Sequence, residues 1–293
     1  MPNSWRHHYI PVFYLRGFAD GSGKLHIYDK KKGKIIRKSQ PPKAFFFIKN
    51  RHTLLNIRGD YDDFMETSLY KTFDDITSKA IQELSHNAVS VFNDDLMFLS
   101  KLVMFINGLI YRIPKYDNYH NERIANGDKE YLLPIRDKNG NDVSFSFYQR
   151  KKKLELYRYA CRFYCSIKQS VPVPEEAKNW SVYALPDDYD RKYYLLCGDS
   201  PVLINNISLF KTSDEIIIAP LTKKHFIIRS KHKIDSSQDV LELVHLINIG
   251  IILSSIDYVC SPEITFLQKY IEWSERYTED SVWKELTDCF HPK

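Results

Sequence analysis

A chain of 293 residues is long enough for one large core or two smaller ones. Hydrophobic residues at 43% and charged residues at 27% exclude a disordered chain, and five cysteines without regular spacing exclude a disulfide framework. The net charge is only +5 but unevenly placed: Lys24 to Arg58 holds eleven Lys/Arg against Asp29 alone, and Asp60 to Leu99 holds nine acids against Lys71 and Lys79.

The opening run His7-His8-Tyr9-Ile10-Pro11-Val12-Phe13-Tyr14-Leu15-Arg16-Gly17-Phe18 is too aromatic to float free and too polar to be plain core. It is expected in the body of the fold with His8 and Arg16 aimed at something specific. An apolar leader is missing at this end, and cysteine usage points to a reducing, cytoplasmic compartment. Lys24 to Asp29 alternates with period two, Lys30 to Gly33 turns, and Lys34 to Arg37 returns, which predicts a hairpin. Pro41 and Pro42 break it, and Ala44 to Ile48 and His52 to Leu55 read as further strands.

From Tyr61 the period becomes helical, with Met65, Leu69, Phe73, Ile76, Ala80 and Leu84 on one stripe. A second helix is expected from an N-cap at Asn93 to Pro114. Residues 117–147 resemble an insertion with a hairpin candidate, Leu132 to Ile135 with Val143 to Phe147. Its Asp137 to Asp142 run is rejected as a calcium loop, because the glycine falls one place early and no Glu closes it. A helix from Tyr148 to Lys168 leads to Val171-Pro172-Val173-Pro174, read as a hinge. Strands are then expected at Trp180 to Leu185, Lys192 to Cys197, Val202 to Asn205, Ile216 to Ala219 and Phe226 to Arg229, followed by a helix from Ser236 to Ile256 and another after Pro262. The apolar stretches Leu96 to Tyr111 and Val240 to Ile256 fall short of the ~20 clean residues of a membrane span and read as central core helices. Strands precede helices in both halves without βαβ alternation. The expected class is α+β, with mixed or antiparallel strands, two long central helices and C-terminal helices, in lobes 1–170 and 175–293 or one continuous domain.

These motifs resemble a bacterial and fungal family catalogued as domain of unknown function 4238. The shared features begin with His8-Tyr9-Ile10-Pro11, Tyr14-Leu15-Arg16-Gly17-Phe18 and the hairpin. The family's Tyr-Thr stands here as His52-Thr53, its helical Glu as Glu66, its second acid as Asp74 or Asp75, and its Arg-x-Pro as Arg112-Ile113-Pro114. Gly198-Asp199-Ser200-Pro201-Val202, Pro220-Leu221 and Asn248 complete the resemblance, which implies site residues but no activity.

The chemistry these residues allow is phosphodiester or phosphoryl chemistry. His8 would act as general acid or base beside Arg16 as an oxyanion clamp, with Glu66 and Asp199 as further catalytic candidates. Lys31, Lys32, Lys34, Lys49, Arg51, His52, Arg112 and Asn248 would meet the substrate, and Phe45-Phe46-Phe47 between Lys43 and Lys49 suits stacking on unpaired bases. Glu66 with Asp74 or Asp75 would suit a divalent ion such as Mg2+, yet no metal-ligand set is assigned and the cofactor stays open. Each residue also has a bland reading: His8 bonding a backbone carbonyl, Arg16 paired with Glu66, Asp199 in an Asx turn, Arg112 capping a helix, Asn248 a core amide. The expected function is an RNA- or DNA-cleaving effector of a bacterial toxin or antiphage system. Its alternative is a non-catalytic nucleic-acid- or protein-binding sensor of such a system. The expected partners are nucleic acid and a protein of the same system, with no membrane.

Overall fold

In a computed structural model, which describes residues 5–55, 61–86, 89–133, 136–141, 154–168, 179–185, 193–205, 216–231, 234 and 237–290, the aromatic opening segment is built into the core. Strand β1 (Arg6–His8) leads into the short helix α1 (Val12–Arg16). Tyr14, Leu15 and Phe18 share one face of that turn and are fully buried. The Tyr14 hydroxyl donates to the Pro220 carbonyl, which anchors α1 against the second half of the chain.

The expected hairpin is β2 (His26–Asp29) and β3 (Lys34–Ile35), turned through Gly33 at φ +60°, a conformation that favours glycine. Lys30 leaves this turn to donate to the carbonyls of Ile252 and Ser255 at the end of a later helix, where a cation complements the helix dipole. The prolines start a single 3-10 turn, Pro42–Ala44, so the strand expected from Ala44 shrinks to β4 (Phe47–Lys49). Phe46 is held at φ +61° with its ring buried against Tyr258, and Phe45 and Phe47 are half-buried. Of the three phenylalanines only Phe46 is therefore fully covered. Strands β5 (Leu54–Leu55) and β6 (Tyr61–Asp62) form a small ladder of their own.

A π-helical stretch, Met65–Tyr70, runs directly into α2 (Lys71–Glu83). The wider π turn shifts the phase of the apolar stripe. Phe73, Thr77, Ala80 and Ile81 face inward on α2, while Ile76, expected inside, is 45% exposed. Asn93 does not start the next helix. It closes α3 (Val89–Asp94) and pairs its amide with the Val182 backbone, and Asp95 caps α4 (Leu96–Arg112) by accepting from the Met97 and Phe98 N–H groups. Gly108 lets α4 approach α2 so closely that a Cβ there would collide with the Phe73 ring. One turn on, Arg112 lies against Asp74, the neighbour of Phe73.

Helices α5 (Asp117–Ala125) and α6 (Leu154–Lys168) follow, then β7 (Trp180–Ala184), β8 (Cys197–Gly198), β9 (Leu203–Ile204), β10 (Ile217–Pro220) and β11 (His225–Arg229). The chain ends with α7 (Ser237–Ser254), β12 (Tyr258–Ser261), α8 (Ile264–Ser274) and α9 (Glu279–Phe290). The strand expected at Lys192 to Cys197 is confined to β8, and β12 was not expected at all. One sheet has the order β7-β11-β10-β9; another, β3-β2-β12-β8, joins the first hairpin to strands from the second half. Every ladder among the described residues is antiparallel. One hydrophobic cluster runs from Tyr9 to Phe290 through both halves. The architecture is α+β.

The expected hinge at Val171 to Pro174 and the strand expected at Val143 to Phe147 lie outside the described residues. Within the expected insertion, Asp137 accepts from the Asn139 and Asn141 N–H groups, which makes the rejected calcium run an Asx turn. Cys161 and Cys165 are buried and form no disulfide. Among the described residues no single helix is long and apolar enough to cross a membrane.

Candidate functional site

The alternation of β1 turns His7 inward and leaves Arg6 exposed and His8 half-buried. β1 pairs with β4, His7 opposite Ile48 and His8 opposite Phe47. Just past β4, Asn50 takes φ +55°, a left-handed conformation that asparagine tolerates. The turn carries Arg51 and His52 back across β1. There the His52 N–H donates to His7 Nδ1 at 2.8 Å, and the two rings stack with centroids 5.5 Å apart.

Asp63, Glu66, Tyr70 and Asp74 recur every three or four residues, so the π stretch and the start of α2 present them along one side. Glu66 Oε2 lies 2.8 Å from His52 Nδ1. The Tyr70 ring packs against His52, with centroids 4.7 Å apart, and the Arg112 guanidinium lies 4.3 Å from the Tyr70 ring centre. Arg112 Nη1 donates to Asp74 Oδ1 at 2.7 Å. Asp63 Oδ1 accepts from the Thr53 hydroxyl at 3.0 Å and stands 3.9 Å from His7 Nε2, while its Oδ2 is buried without a hydrogen-bond partner. Behind this layer Arg51 donates to the Arg112 carbonyl and to Asp117, and Arg162 from α6 shares that carboxylate.

Burial pushes His52 down to about 4, the charges of Arg112 and Arg51 act the same way, and Glu66 only partly opposes them. Burial alone would raise Glu66, but the bond to His52 and the Arg112 charge outweigh it and hold the carboxyl below its ordinary value. At neutral pH the pair is therefore imidazole and carboxylate. His52 carries its proton on Nδ1, donates it to Glu66, and holds its ring lone pair on Nε2. Asp74 is shifted upward, chiefly by burial. The cluster joins a base oriented by a carboxylate to two buried guanidiniums, the ingredients of acid–base chemistry on an anionic substrate.

A family model described as protein of unknown function (DUF4238) matches residues 6–157. The chain belongs to that family. No curated protein and no solved structure matches it. The DUF4238 match contains His7, His52, Asp63, Glu66, Tyr70, Asp74 and Arg112, and it ends before Arg162, Asp199 and Asn248.

Of the residues singled out in the sequence, the fold brings together His52, Glu66, Arg112 and Arg51. The expected trio of His8, Arg16 and Glu66 is not what the cluster contains. His8 Nε2 lies 3.3 Å from the Lys43 carbonyl and its ring packs on Phe47. Burial lowers its pKa, and both Glu66 and Arg112 act on it electrostatically, so it borders the cluster. Arg16 is exposed at the end of α1 and is not the partner of Glu66, which bonds His52.

Asp199 accepts from the Ile256, Asp257 and Tyr258 N–H groups at 2.8, 2.5 and 3.0 Å, which fixes the turn from α7 into β12. Asn248 is fully buried, with its amide bonded to the Leu196 N–H and the Tyr194 carbonyl. Lys31 pairs with Asp257 and Lys32 with Asp29; Lys34 is exposed. Lys49 and Arg6 both lie over the exposed Trp5 ring. A cavity of about 240 Å³ opens beside β4, lined by Tyr9, Lys31, Phe47, Lys115, Asp199 and Tyr258. Asp74 is bonded to Arg112, which therefore supplies the cation expected between Glu66 and the second acid.

Sequence reasoning missed His7, Asp63 and Tyr70. The four-residue spacing from Glu66 through Tyr70 to Asp74 was the available signal for Tyr70. The inward register of β1 would have selected His7.

Proposed function

We propose that this protein cleaves phosphodiester bonds in RNA or DNA, as an effector of a bacterial toxin or antiphage system, with the His7–His52–Glu66 cluster as its catalytic centre. One observation carries the reading: neutral His52 is oriented by ionised Glu66 at 2.8 Å and lies within the field of Arg51 and Arg112. A base held in this way takes a proton from water or from a ribose hydroxyl, and the guanidinium charges favour the anionic phosphorus centre that then forms. On the surface, Trp5 and Phe47 with Arg6 and Lys49 form an aromatic and cationic strip on the β1–β4 ribbon that carries His7. Such a strip suits unpaired bases and their phosphates.

Labelled RNA and DNA incubated with the purified protein, with and without divalent ions, test this reading. His52→Asn and Glu66→Gln should fold and should lower cleavage about 100-fold or more. His8→Asn should reduce it less. If the wild type cleaves neither polymer while still binding one, the protein is a non-catalytic sensor. That second reading draws on the burial of His52 and Arg112, 1% and 3% exposed at the side chain, which also suits a structural polar core.

The basic hairpin has its own test. Reversing Lys31, Lys32 and Lys34 to Glu should weaken polynucleotide binding and flatten its salt dependence, since each lost phosphate contact removes roughly 0.7–0.9 from the log–log slope. Unchanged binding with a lower melting temperature would show instead that these lysines serve Asp257 and Asp29.

A further inference from the structure

The same cluster holds an arrangement that acid–base chemistry does not explain. His7, His52 and Glu66 each offer a ligand atom, and these atoms all lie within 4.8 Å of one another. Asp63 stands beside this set: it is 9% exposed, its Oδ1 is 3.9 Å from His7 Nε2, and its Oδ2 is buried with no hydrogen-bond partner. A buried carboxylate oxygen without a donor is costly unless a cation completes it. Arg112 is not that cation, because it bonds Asp74.

We propose that His7, His52, Glu66 and Asp63 form a binding site for one divalent first-row transition-metal ion. This deepens the cleavage reading by naming its cofactor class. Two imidazoles with carboxylates select Zn2+ or Mn2+ over Mg2+, which prefers oxygen ligands and retained water. The separation of 2.8 Å between His52 Nδ1 and Glu66 Oε2 suits two neighbouring ligands of one ion. The ion takes the place of the proton on Nδ1, which passes to Nε2 of the same neutral ring, so in the loaded protein His52 is a ligand and an ion-bound water would supply the nucleophile. His7 joins by giving up its bond from the His52 N–H, and Asp63 then faces a positive charge. The acids nearest the site stay in place: Asp74 remains on Arg112, and Asp117 remains on Arg51 and Arg162.

The test measures metal directly. Full-length protein, stripped with a chelator and carrying Cys289→Ser to remove the exposed thiol, is titrated with ZnCl2 and with MnCl2 by calorimetry, and with CoCl2 by absorption. One ion per chain should bind with a raised melting temperature, and the cobalt spectrum should lack a thiolate charge-transfer band. Glu66→Gln, close to isosteric, and Asp63→Asn should each weaken binding at least 10-fold, and His7→Asn with Glu66→Gln should abolish it. A wild type that binds none of the three ions at millimolar concentration overturns the site, as does binding that survives the double variant or a cobalt spectrum with thiolate bands. If His7→Asn does not fold, the Glu66→Gln and Asp63→Asn titrations decide alone. The two proposals fail separately: metal binding without cleavage removes the nuclease reading, and cleavage by a protein that binds none of the three ions removes the metal site.

Discussion

Replacing Arg112 with Ala should destabilise the fold by about 3 kcal/mol, the lower end of the range for stripping one partner from a buried ion pair. The guanidinium is 3% exposed, bonds Asp74 at 2.7 Å and lies over Tyr70, and its charge also stabilises ionised Glu66. Without it two carboxylates on one helical face are left without their common cation. The lower end applies because Asp74 is 23% exposed and water reaches it. In a chain of 293 residues the loss corresponds to a fall in melting temperature of roughly 5 °C. Arg112→Lys should recover only part of it, since an ammonium keeps the charge but loses the planar stack on Tyr70. Adding Asp74→Ala to Arg112→Ala should cost less than the sum of the two single changes, which a double-mutant cycle reads directly. A loss below about 1 kcal/mol for Arg112→Ala would mean that the acids do not depend on it.

Local periodicity made much of the fold legible. The β2–β3 hairpin, α4, α7 and the strands β7, β10 and β11 lie where alternation and apolar spacing put them. What stayed hidden depends on contacts between distant residues. Strand β12 is specified by its neighbours β2 and β8 more than by a turn signal of its own, and the π stretch that rephases α2 leaves Ile76 outside despite its place on an ideal stripe. The same limit governs the site. Glu66, His52 and Arg112 were visible as residue types in a resembling pattern. The choice of His7 over His8 required the register of a three-residue strand, and the left-handed turn at Asn50 decides which histidine His52 meets. Asp199 and Asn248 drew attention for their polarity in apolar surroundings, yet both spend that polarity on backbone groups of the scaffold.

Acid should destabilise this protein well above the pH at which carboxylates titrate, and His120 identifies one cause. Its ring is fully buried, stacked on Tyr111 with centroids 4.4 Å apart, with Nε2 3.2 Å from the Ile110 carbonyl. Burial is the main cause that holds it down at about 3; Arg162 pushes the same way, and the Ile110 carbonyl and Asp117 oppose them weakly. With Nε2–H donated to Ile110, a second proton would sit on Nδ1, which is buried without a partner. In the unfolded chain the same histidine titrates near its ordinary ~6.5. Between these two values the unfolded state carries a proton that the native state refuses, so stability falls as pH drops below about 6.5 and the loss is complete near 3. The loss accrues at about 1.4 kcal/mol per unit, or roughly 2 kcal/mol by pH 5. His52, held at about 4, adds a loss of the same sign. Carboxylates held below their ordinary values by bonds, such as Asp29 and Glu263, begin to weaken the fold only below their unfolded values of about 4, in the lowest part of that window and beneath it. His120→Phe keeps a ring against Tyr111 and removes the titration. At pH 7.5 it should be less stable than the wild type by about 1 kcal/mol, the value of the bond to Ile110. By pH 5 urea unfolding should find the two proteins level or the variant ahead. Equal losses in both between pH 7.5 and 5 would place the acid sensitivity elsewhere.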